Sequence, residues 1–415
     1  MRSFRIGLLL GFRQIQRASL WTTLLIIFVM MLTFLNLIAV SGVLIGLIVG
    51  AERGVRLESL GDIVITAKND ENTILETGSL ERELSTFPEI QHYSTRYSSV
   101  ALLEANYKER RDLSGERDTA NVNVTGIDPV AEAIMSGLDD KVIAGEYLDP
   151  DDEGYILVGV YYLKEYAMKF GDVFDSVENI KPGVTVRLTI GDTSKEFIVK
   201  GIVESKVDQV SLNTYIPERE FRRLFKRVDR NADQIVIRVA EPGEEVAVRD
   251  SLLASSLGDY AKIQTYDESK PKFITDIKTT FNILGTFIGS VGIVVASITI
   301  FIIIFINALS RRRHIGILKG IGIERQVIEI AYVLQAAFYA LAGSALGMLL
   351  TYGFLVGYFE SNPIQFPFSD GILVAPVGET FIRFIVLFII TLIAGFIPAW
   401  MIVRQNTLNS ILGRK

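Results

Sequence analysis

The side chains that most often carry catalysis are scarce in this chain. It has no cysteine and two histidines, His92 and His314, which lie far apart in the sequence. Histidine-based metal sites and Ser-His-Asp triads are therefore not expected. The acidic segment 149–153 resembles the start of a calcium loop, but Val160 stands where a bidentate glutamate belongs, so an acidic turn is the better interpretation.

Nucleotide chemistry has no visible site either. The phosphate-cradling pattern G-x-x-x-x-G-K-[ST] occurs nowhere in the sequence. We therefore expect no catalytic, metal-binding or cofactor-binding residue, and if ATP drives this protein, its ATPase is a separate chain.

Four stretches without any charged residue decide the architecture: 18–51, 279–310, 330–359 and 384–403. About 20 apolar residues are enough to cross a hydrocarbon core of about 30 Å, so the sequence predicts four membrane helices. The long charged segment between the first and second helices must then be an extramembrane domain. Because no span contains an ionisable residue, an ion-coupled secondary transporter is not favoured.

Charge also predicts the orientation. The two termini and the segment 311–329 are rich in Lys and Arg, whereas 52–276 carries more acidic than basic residues. Basic residues near span ends mark the cytoplasmic side. We expect a multi-pass protein of the cell (inner) membrane with both termini in the cytoplasm and the large domain outside.

The predicted segments follow from these two patterns. In chain order they are a cytoplasmic amphipathic N-terminal helix (1–18), the first span and stalk (19–51), an extracytoplasmic α+β domain (52–276), a stalk and second span (277–310), a cytoplasmic coupling loop (311–329), the third span (330–359), an outer loop (360–383), the fourth span (384–403) and a cytoplasmic tail (404–415).

The first two spans are longer than a crossing requires, at a helical rise of about 1.5 Å per residue. Both also border the large domain, so we expect them to form a stalk that couples this domain rigidly to the membrane; tilt within the bilayer is the alternative. Glycines spaced four apart let membrane helices approach closely. The expected packing glycines are Gly42, Gly46 and Gly50 in the first span, Gly285 and Gly289 in the second, and Gly343 and Gly347 in the third.

Strand and helix patterns alternate within the large domain, which predicts one or two α+β subdomains. The predicted helices are 80–87, 218–225 and 244–257. The predicted strands are 62–66, 122–127, 155–160, 185–190, 197–203, 234–239 and 262–265.

The cytoplasmic segment 311–329 reads RRRHIGILKGIGIERQVIE. Its apolar residues Ile315, Ile317, Leu318 and Ile321 would face the cytoplasm, which is expected only if a partner covers them. The alternative is a basic loop whose apolar residues lie on lipid.

This segment resembles the coupling helix of the permease family that includes the macrolide exporter MacB, the lipoprotein-releasing pair LolC and LolE, and the cell-division permease FtsX. The matching residues are Arg311, Ile315, Ile317, Leu318, Lys319 and Gly322; His314 stands where the family has glutamate. The resemblance extends to Gln335, Gly343 and Gly347, to Pro398, Ala399 and Arg404, and to 124–129, 197–203 and 213–225.

The resemblance implies an α-helical four-span permease with a large extracytoplasmic α+β, MacB-like periplasmic domain, working by mechanotransmission (type VII ABC). A dimer of a separate ABC ATPase would bind ATP and Mg²⁺ and contact the coupling loop, and a second permease copy or a paralogue would complete the complex. The expected coupling residues are Arg311, Arg313, Ile315, Gly316, Ile317, Leu318, Lys319, Gly322 and Arg325.

The resemblance is compatible with two functions. One is lipoprotein release or export of an amphiphilic or peptide substrate, and the other is an FtsX-like regulator that signals to an external cell-wall hydrolase without transport. A stand-alone receptor without an ATPase is a third, less favoured interpretation. Expected partners therefore include membrane lipid and a lipoprotein, hydrolase or periplasmic adaptor, but no nucleic acid.

Overall fold

The structure is a computed structural model that describes residues 2–68, 71–108, 117–167, 175–366 and 369–404. The chain divides into two compact units, one formed by 1–49, 276–366 and 370–415 and the other by 50–275 with 367–369. We call the first the membrane unit and the second the extramembrane domain.

The helices, in chain order, are α1 (Arg2–Gln16), α2 (Leu20–Val55), α3 (Thr77–Leu84), α4 (Pro129–Ser136), α5 (Lys164–Ala167), α6 (Asp208–Ser211), α7 (Glu218–Leu224), α8 (Glu245–Ala254), α9 (Leu257–Tyr260), α10 (Tyr266–Ser269), α11 (Lys272–Ser310), α12 (Arg312–Gly320), α13 (Arg325–Leu350), α14 (Val356–Ser361) and α15 (Val377–Val403). The strands are β1 (Ile63–Ala67), β2 (Ile90–Glu104), β3 (Thr119–Ile127), β4 (Val142–Gly145), β5 (Tyr155–Gly159), β6 (Thr185–Ile190), β7 (Thr193–Val203), β8 (Asn213–Pro217), β9 (Gln234–Val239), β10 (Ala261–Thr265), β11 (Ile364–Phe366) and β12 (Ser369–Gly371).

Within the described ranges, four helical segments are long and apolar enough to cross a membrane. They contain α2, α11, α13 and α15, and the third continues through a π-helical turn, Thr351–Leu355, into α14. Helix α15 begins at Val377, earlier than the predicted start of the fourth span at 384, and includes Glu379 and Arg383, which form an ion pair of 3.2 Å one turn apart. These two charged residues lie before the uncharged stretch in the sequence, but they belong to the same helix in the structure.

The membrane unit has a core to which its four long helices all contribute. Among its buried side chains are Met30 and Phe34 of α2, Ile304 of α11, Tyr332 and Tyr339 of α13, and Leu387 of α15. Helix α1 packs on α13 through two glycines: a Cβ on Gly11 would lie 2.8 Å from Leu334 Cδ2, and a Cβ on Gly7 would lie equally close to Ile330.

The predicted packing glycines have different neighbours. Gly343 and Gly347 meet Met30 and Phe34 of α2, and Gly285 and Gly289 lie against Leu44 and Leu37 of the same helix. For Gly42 and Gly46, the atoms nearest to an added Cβ belong to segment 372–374, which leads into α15. Gly50 is half-buried and falls in the extramembrane domain.

The strands of the extramembrane domain form one sheet in the order β10-β1-β9-β2-β3-β8-β5-β7-β4, with β6 paired to β2 and β7. Strand β2 is 15 residues long. Its first part pairs with β9, as in Tyr93 opposite Ile237, and its second part pairs with β3, as in Ala101 opposite Val122. The domain therefore has two halves that share one strand.

Each half has its own apolar core. The half formed by β10, β1 and β9 packs α3 and α8 over Ile63, Ile65 and Ile237. The half that contains β3, β5 and β7 encloses Val122, Val158, Phe197 and Phe221, and the last ring stacks on Phe225 at 4.2 Å. The expected α-helical membrane protein with a large α/β domain is thus confirmed.

Candidate functional site

The segment between α11 and α13 folds as a short helix and a tight turn. Helix α12 starts after Arg311, whose carbonyl accepts the Ile315 amide at 3.0 Å. It ends where Gly322 adopts φ +94°, a left-handed conformation that favours glycine. The amide of Ile323 then donates to the Leu318 carbonyl at 3.0 Å, and α13 begins at Arg325.

One face of α12 is fixed to the membrane unit. Ile315 is 3% exposed and belongs to the core of this unit, and Gly316 beside it is also buried. Leu318 is half-buried on the same core. Lys319 Nζ donates to the carbonyl of Val403, at the end of α15, at 2.9 Å. Burial, together with the nearby charge of Arg325, lowers the pKa of Lys319.

The other face of α12 is exposed and apolar at its centre. Ile317 is 47% exposed and Ile321, in the turn, is 72% exposed. Arg313, Gly322 and Arg325 are exposed as well. A pair of exposed isoleucines among basic side chains suits a partner that buries the isoleucines and carries acidic groups at its rim.

The structure therefore separates the expected coupling residues into two groups. Arg313, Ile317, Gly322 and Arg325 lie on the exposed face, while Arg311 is half-exposed. The buried pair, Ile315 and Gly316, is not placed for direct contact with a partner, so we assign it the role of anchoring α12. Ile321 lies outside the matching motif, but it is an apolar residue in a segment that the charge pattern predicts to be cytoplasmic, and this was the sequence signal for it.

The acidic turn predicted at 149–153 has a lysine as partner of two of its carboxylates. Lys200 Nζ lies 2.6 Å from carboxylate oxygens of both Asp149 and Asp152. The Lys200 ammonium therefore forms ion pairs with two carboxylates of this turn. Among the residues that the structure describes, no group of three or more His, Asp or Glu side chains could hold a metal ion.

Comparison with known proteins identifies a family and several relatives. Residues 286–407 match the FtsX family, described as "FtsX-like permease C-terminal". The chain is 20% identical over 346 residues to the lipoprotein-releasing system transmembrane protein LolC of Neisseria meningitidis serogroup B, covering 80% of each chain. It is 24% identical over 224 residues to the macrolide export ATP-binding/permease protein MacB of Burkholderia thailandensis, covering 52% of this chain and 33% of that one.

Two solved structures overlay part of the chain. The periplasmic region of MacB from Actinobacillus actinomycetemcomitans covers 51% of this chain and 92% of its own, at 20% identity and a TM-score of 0.35. The extracellular domain of the ABC-type transporter YknZ covers 49% and 99%, at 12% identity and a TM-score of 0.34.

Four apolar helices and a large α/β domain define a multi-pass membrane protein. The FtsX-like domain and the relatives then assign its type. Residues 286–407 thus carry an FtsX-like permease domain, and the chain is similar to permeases of the LolC and MacB type, which confirms the resemblance seen in the sequence.

Proposed function

We propose that this chain is a permease subunit whose α12 binds a separate ABC ATPase, and that ATP hydrolysis there drives movement of the extramembrane domain. The observation that carries the proposal is the division of α12 into a buried face, at Ile315, and an exposed apolar face, at Ile317 and Ile321. The anchored face would transmit a push or pull on the exposed face directly to the core of the membrane unit.

The proposal includes the orientation and the stoichiometry. The basic termini and the basic segment around α12 support a cytoplasmic location for all three, with the extramembrane domain on the opposite side. One chain provides one α12, so an ATPase dimer would engage two permease chains, which are either identical or paralogous. ATP and Mg²⁺ would be bound by the ATPase.

We further propose that the extramembrane domain handles an amphiphilic substrate, such as a lipoprotein or a peptide. The names of the relatives support this class, since one belongs to a lipoprotein-releasing system and another to macrolide export. The alignment with LolC extends over 80% of both chains, which favours release. Photo-crosslinking from this domain tests the substrate: a trapped lipoprotein supports release, and a trapped cell-wall hydrolase supports the regulatory alternative.

The contact with the ATPase is tested by the substitution Ile321→Asp. An unpaired carboxylate buried in an interface costs at least about 3 kcal/mol, which corresponds to roughly a hundredfold loss of affinity. We expect the variant, purified from its native membranes, to lose a co-purifying ATPase that is recognised by its P-loop sequence and its ATP hydrolysis. The matched control is Val228→Asp, at a position of the extramembrane domain that is 97% exposed.

Two outcomes would contradict the proposal. Recovery of the ATPase with Ile321→Asp at the level of the unmodified chain would show that the exposed face of α12 is not the contact. Purification of the unmodified chain without any ATPase, in several mild detergents, would favour the stand-alone receptor. Ile317→Asp is a second variant for the same surface, whereas Gly316→Asp would also disturb the anchoring face.

A further inference from the structure

Helix α2 ends in a turn of unusual geometry. Its last residue, Val55, is followed directly by the π-helical turn Arg56–Leu60, which we call the junction turn. The Gly61 amide donates to the Arg56 carbonyl at 2.8 Å and closes the turn. Single π-helical turns within or beside α-helices occur frequently at functional sites.

The first contact ties the junction turn to one half of the extramembrane domain. Arg56 Nε lies 2.7 Å from Asp62 Oδ1, and its Nη2 contacts Glu245 on α8. The other oxygen of Asp62 accepts the Val239 amide at 2.9 Å, at the end of β9. Arg56 is thus linked to the half that contains β1, β9 and β10.

The second contact ties the same turn to the other half. Glu58 Oε1 lies 2.7 Å from Lys141 Nζ, and Glu58 Oε2 accepts the Ser205 hydroxyl. Lys141 precedes β4 and Ser205 follows β7. Two residues of one turn therefore reach the two halves of the sheet by separate ion pairs.

Two backbone carbonyls of the junction turn are also bound by arginines. The Leu57 carbonyl accepts Arg238 Nη2 at 3.1 Å. The Ser59 carbonyl accepts Arg96, a buried side chain that is paired with Glu132 at 2.6 Å. Each residue from 56 to 59 has a polar partner elsewhere in the domain, so the turn cannot rotate without breaking several of these bonds.

The residues that lead into α11 lie beside the end of α2. Lys270, just before α11, is 3.8 Å from Glu52 on α2 and 2.8 Å from Asp267. Val55 and Ile274, on the two helices, belong to one buried cluster with Tyr266. The ends of α2 and α11 are therefore held together at the domain.

We propose that the junction turn is a latch that passes a displacement of α2 to both halves of the extramembrane domain, with Arg56 and Glu58 as the positioning residues. The inference rests on the proposed coupling function. If only the α-helix entered the domain, a displacement could be absorbed by hinge motion at its end. The two ion pairs remove this freedom, because they hold the same turn from two sides.

The test uses the full-length chain in its complex with the ATPase. Because the chain has no native cysteine, Gln16→Cys, at the exposed end of α1, and Val228→Cys provide two defined sites for single-molecule fluorescence energy transfer. Labelled chain is diluted with unlabelled chain so that each complex carries one labelled copy. The latch variant combines Arg56→Met with Glu58→Gln. The control combines Arg187→Met with Glu104→Gln and removes an ion pair of 2.6 Å between β6 and β2 in the same domain.

In the unmodified complex, ATP with vanadate is expected to shift the transfer efficiency. The latch variant should lose this shift while its ATPase remains bound and active, and the control should retain it. A full shift in the latch variant, or an equal loss in the control, would overturn the latch. An unmodified complex that lacks an associated ATPase, or that hydrolyses ATP without any shift, would overturn the proposed function itself, whereas a full shift in the latch variant would overturn the latch alone.

Discussion

Replacing Arg96 with methionine is a direct test of the buried ion pair that supports the junction turn. Arg96 and Glu132 are 8% and 2% exposed, and two hydrogen bonds join them, Nη2–Oε1 at 2.6 Å and Nε–Oε2 at 3.0 Å. Methionine fills much of the space of arginine but carries no charge. In the variant, Glu132 keeps the hydrogen bond from the Ser94 hydroxyl at 2.7 Å and remains buried without a cation.

The expected cost follows from this uncompensated charge. Removing one partner of a buried ion pair destabilises a protein by about 3–5 kcal/mol. Because the Ser94 hydrogen bond persists, we expect a value near the lower end, about 3 kcal/mol. The double variant Arg96→Met with Glu132→Leu carries no buried charge at this site. Such apolar replacements are often neutral, but here the buried Ser94 hydroxyl and the Ser59 carbonyl also lose a partner. The double variant is therefore expected to be more stable than Arg96→Met and about 1–2 kcal/mol less stable than the unmodified chain.

Hydrogen exchange on the full-length chain in detergent measures the difference in stability between the variants and the unmodified chain. Peptides from β2, β9 and α4 report the free energy of opening around the pair. A cost below about 1 kcal/mol for Arg96→Met would refute the assignment of a desolvated, tightly paired arginine. A double variant as unstable as the single one would show that the uncompensated charge is not the cause.

The pH dependence of the protein's stability gives an independent check of this ion pair. Burial alone would raise the pKa of Glu132, but the charge of Arg96 and the hydrogen bonds outweigh it and hold the pKa below its ordinary value. The stabilisation from this group is therefore present above the unfolded-state pKa and is lost as the pH falls through the folded-state pKa. In Arg96→Met, burial acts without the opposing cation and raises the pKa. The difference in the free energy of unfolding between the unmodified chain and Arg96→Met should then decrease as the pH falls toward about 5. A difference that stays constant with pH would contradict this account.

Two further predictions concern the membrane unit and the orientation. Gly347→Ala would place a Cβ 2.6 Å from Phe34 Cδ1 and should destabilise the detergent-solubilised chain by about 1–3 kcal/mol in thermal unfolding, whereas Gly357→Ala, with nothing within 4 Å of the new Cβ, should not. Single cysteines at Asp151 and Gly320 should react with an impermeant thiol reagent from outside and from inside, respectively, and the reverse pattern would refute the proposed topology.

The membrane helices were predictable because their signal is local. A run of uncharged residues identifies each span without knowledge of the rest of the fold. The same rule misplaced the start of α15, since Glu379 and Arg383 neutralise each other on the helix surface and lie within it. The rule detects where charge is absent and not where the helix begins.

Strand β2 was not predicted, although it is the longest strand among the described residues. Ser94, Thr95 and Arg96 are buried at its centre, so apolar and polar residues do not alternate there. Their burial depends on Glu132 and on other partners that are distant in sequence. Such a strand is recognised only when its neighbours are known.

The candidate site was predictable in part. Apolar residues within a basic segment, namely Ile315, Ile317, Leu318 and Ile321, indicated the candidate site. The sequence does not show which of them are exposed, because this depends on how α12 packs on the membrane unit. The junction turn gave no sequence signal. Arg56 and Glu58 resemble ordinary solvated residues at the end of a helix, and their partners, such as Lys141 and Glu245, lie far along the chain.

The length of β2 has a consequence for how the extramembrane domain is made and degraded. Since both halves of the sheet are built on the same strand, removing either half leaves the other with unpaired backbone along part of β2. The halves should therefore form and melt in one cooperative step, and a truncated chain that contains only one of them should be recognised as unfolded and removed by proteases.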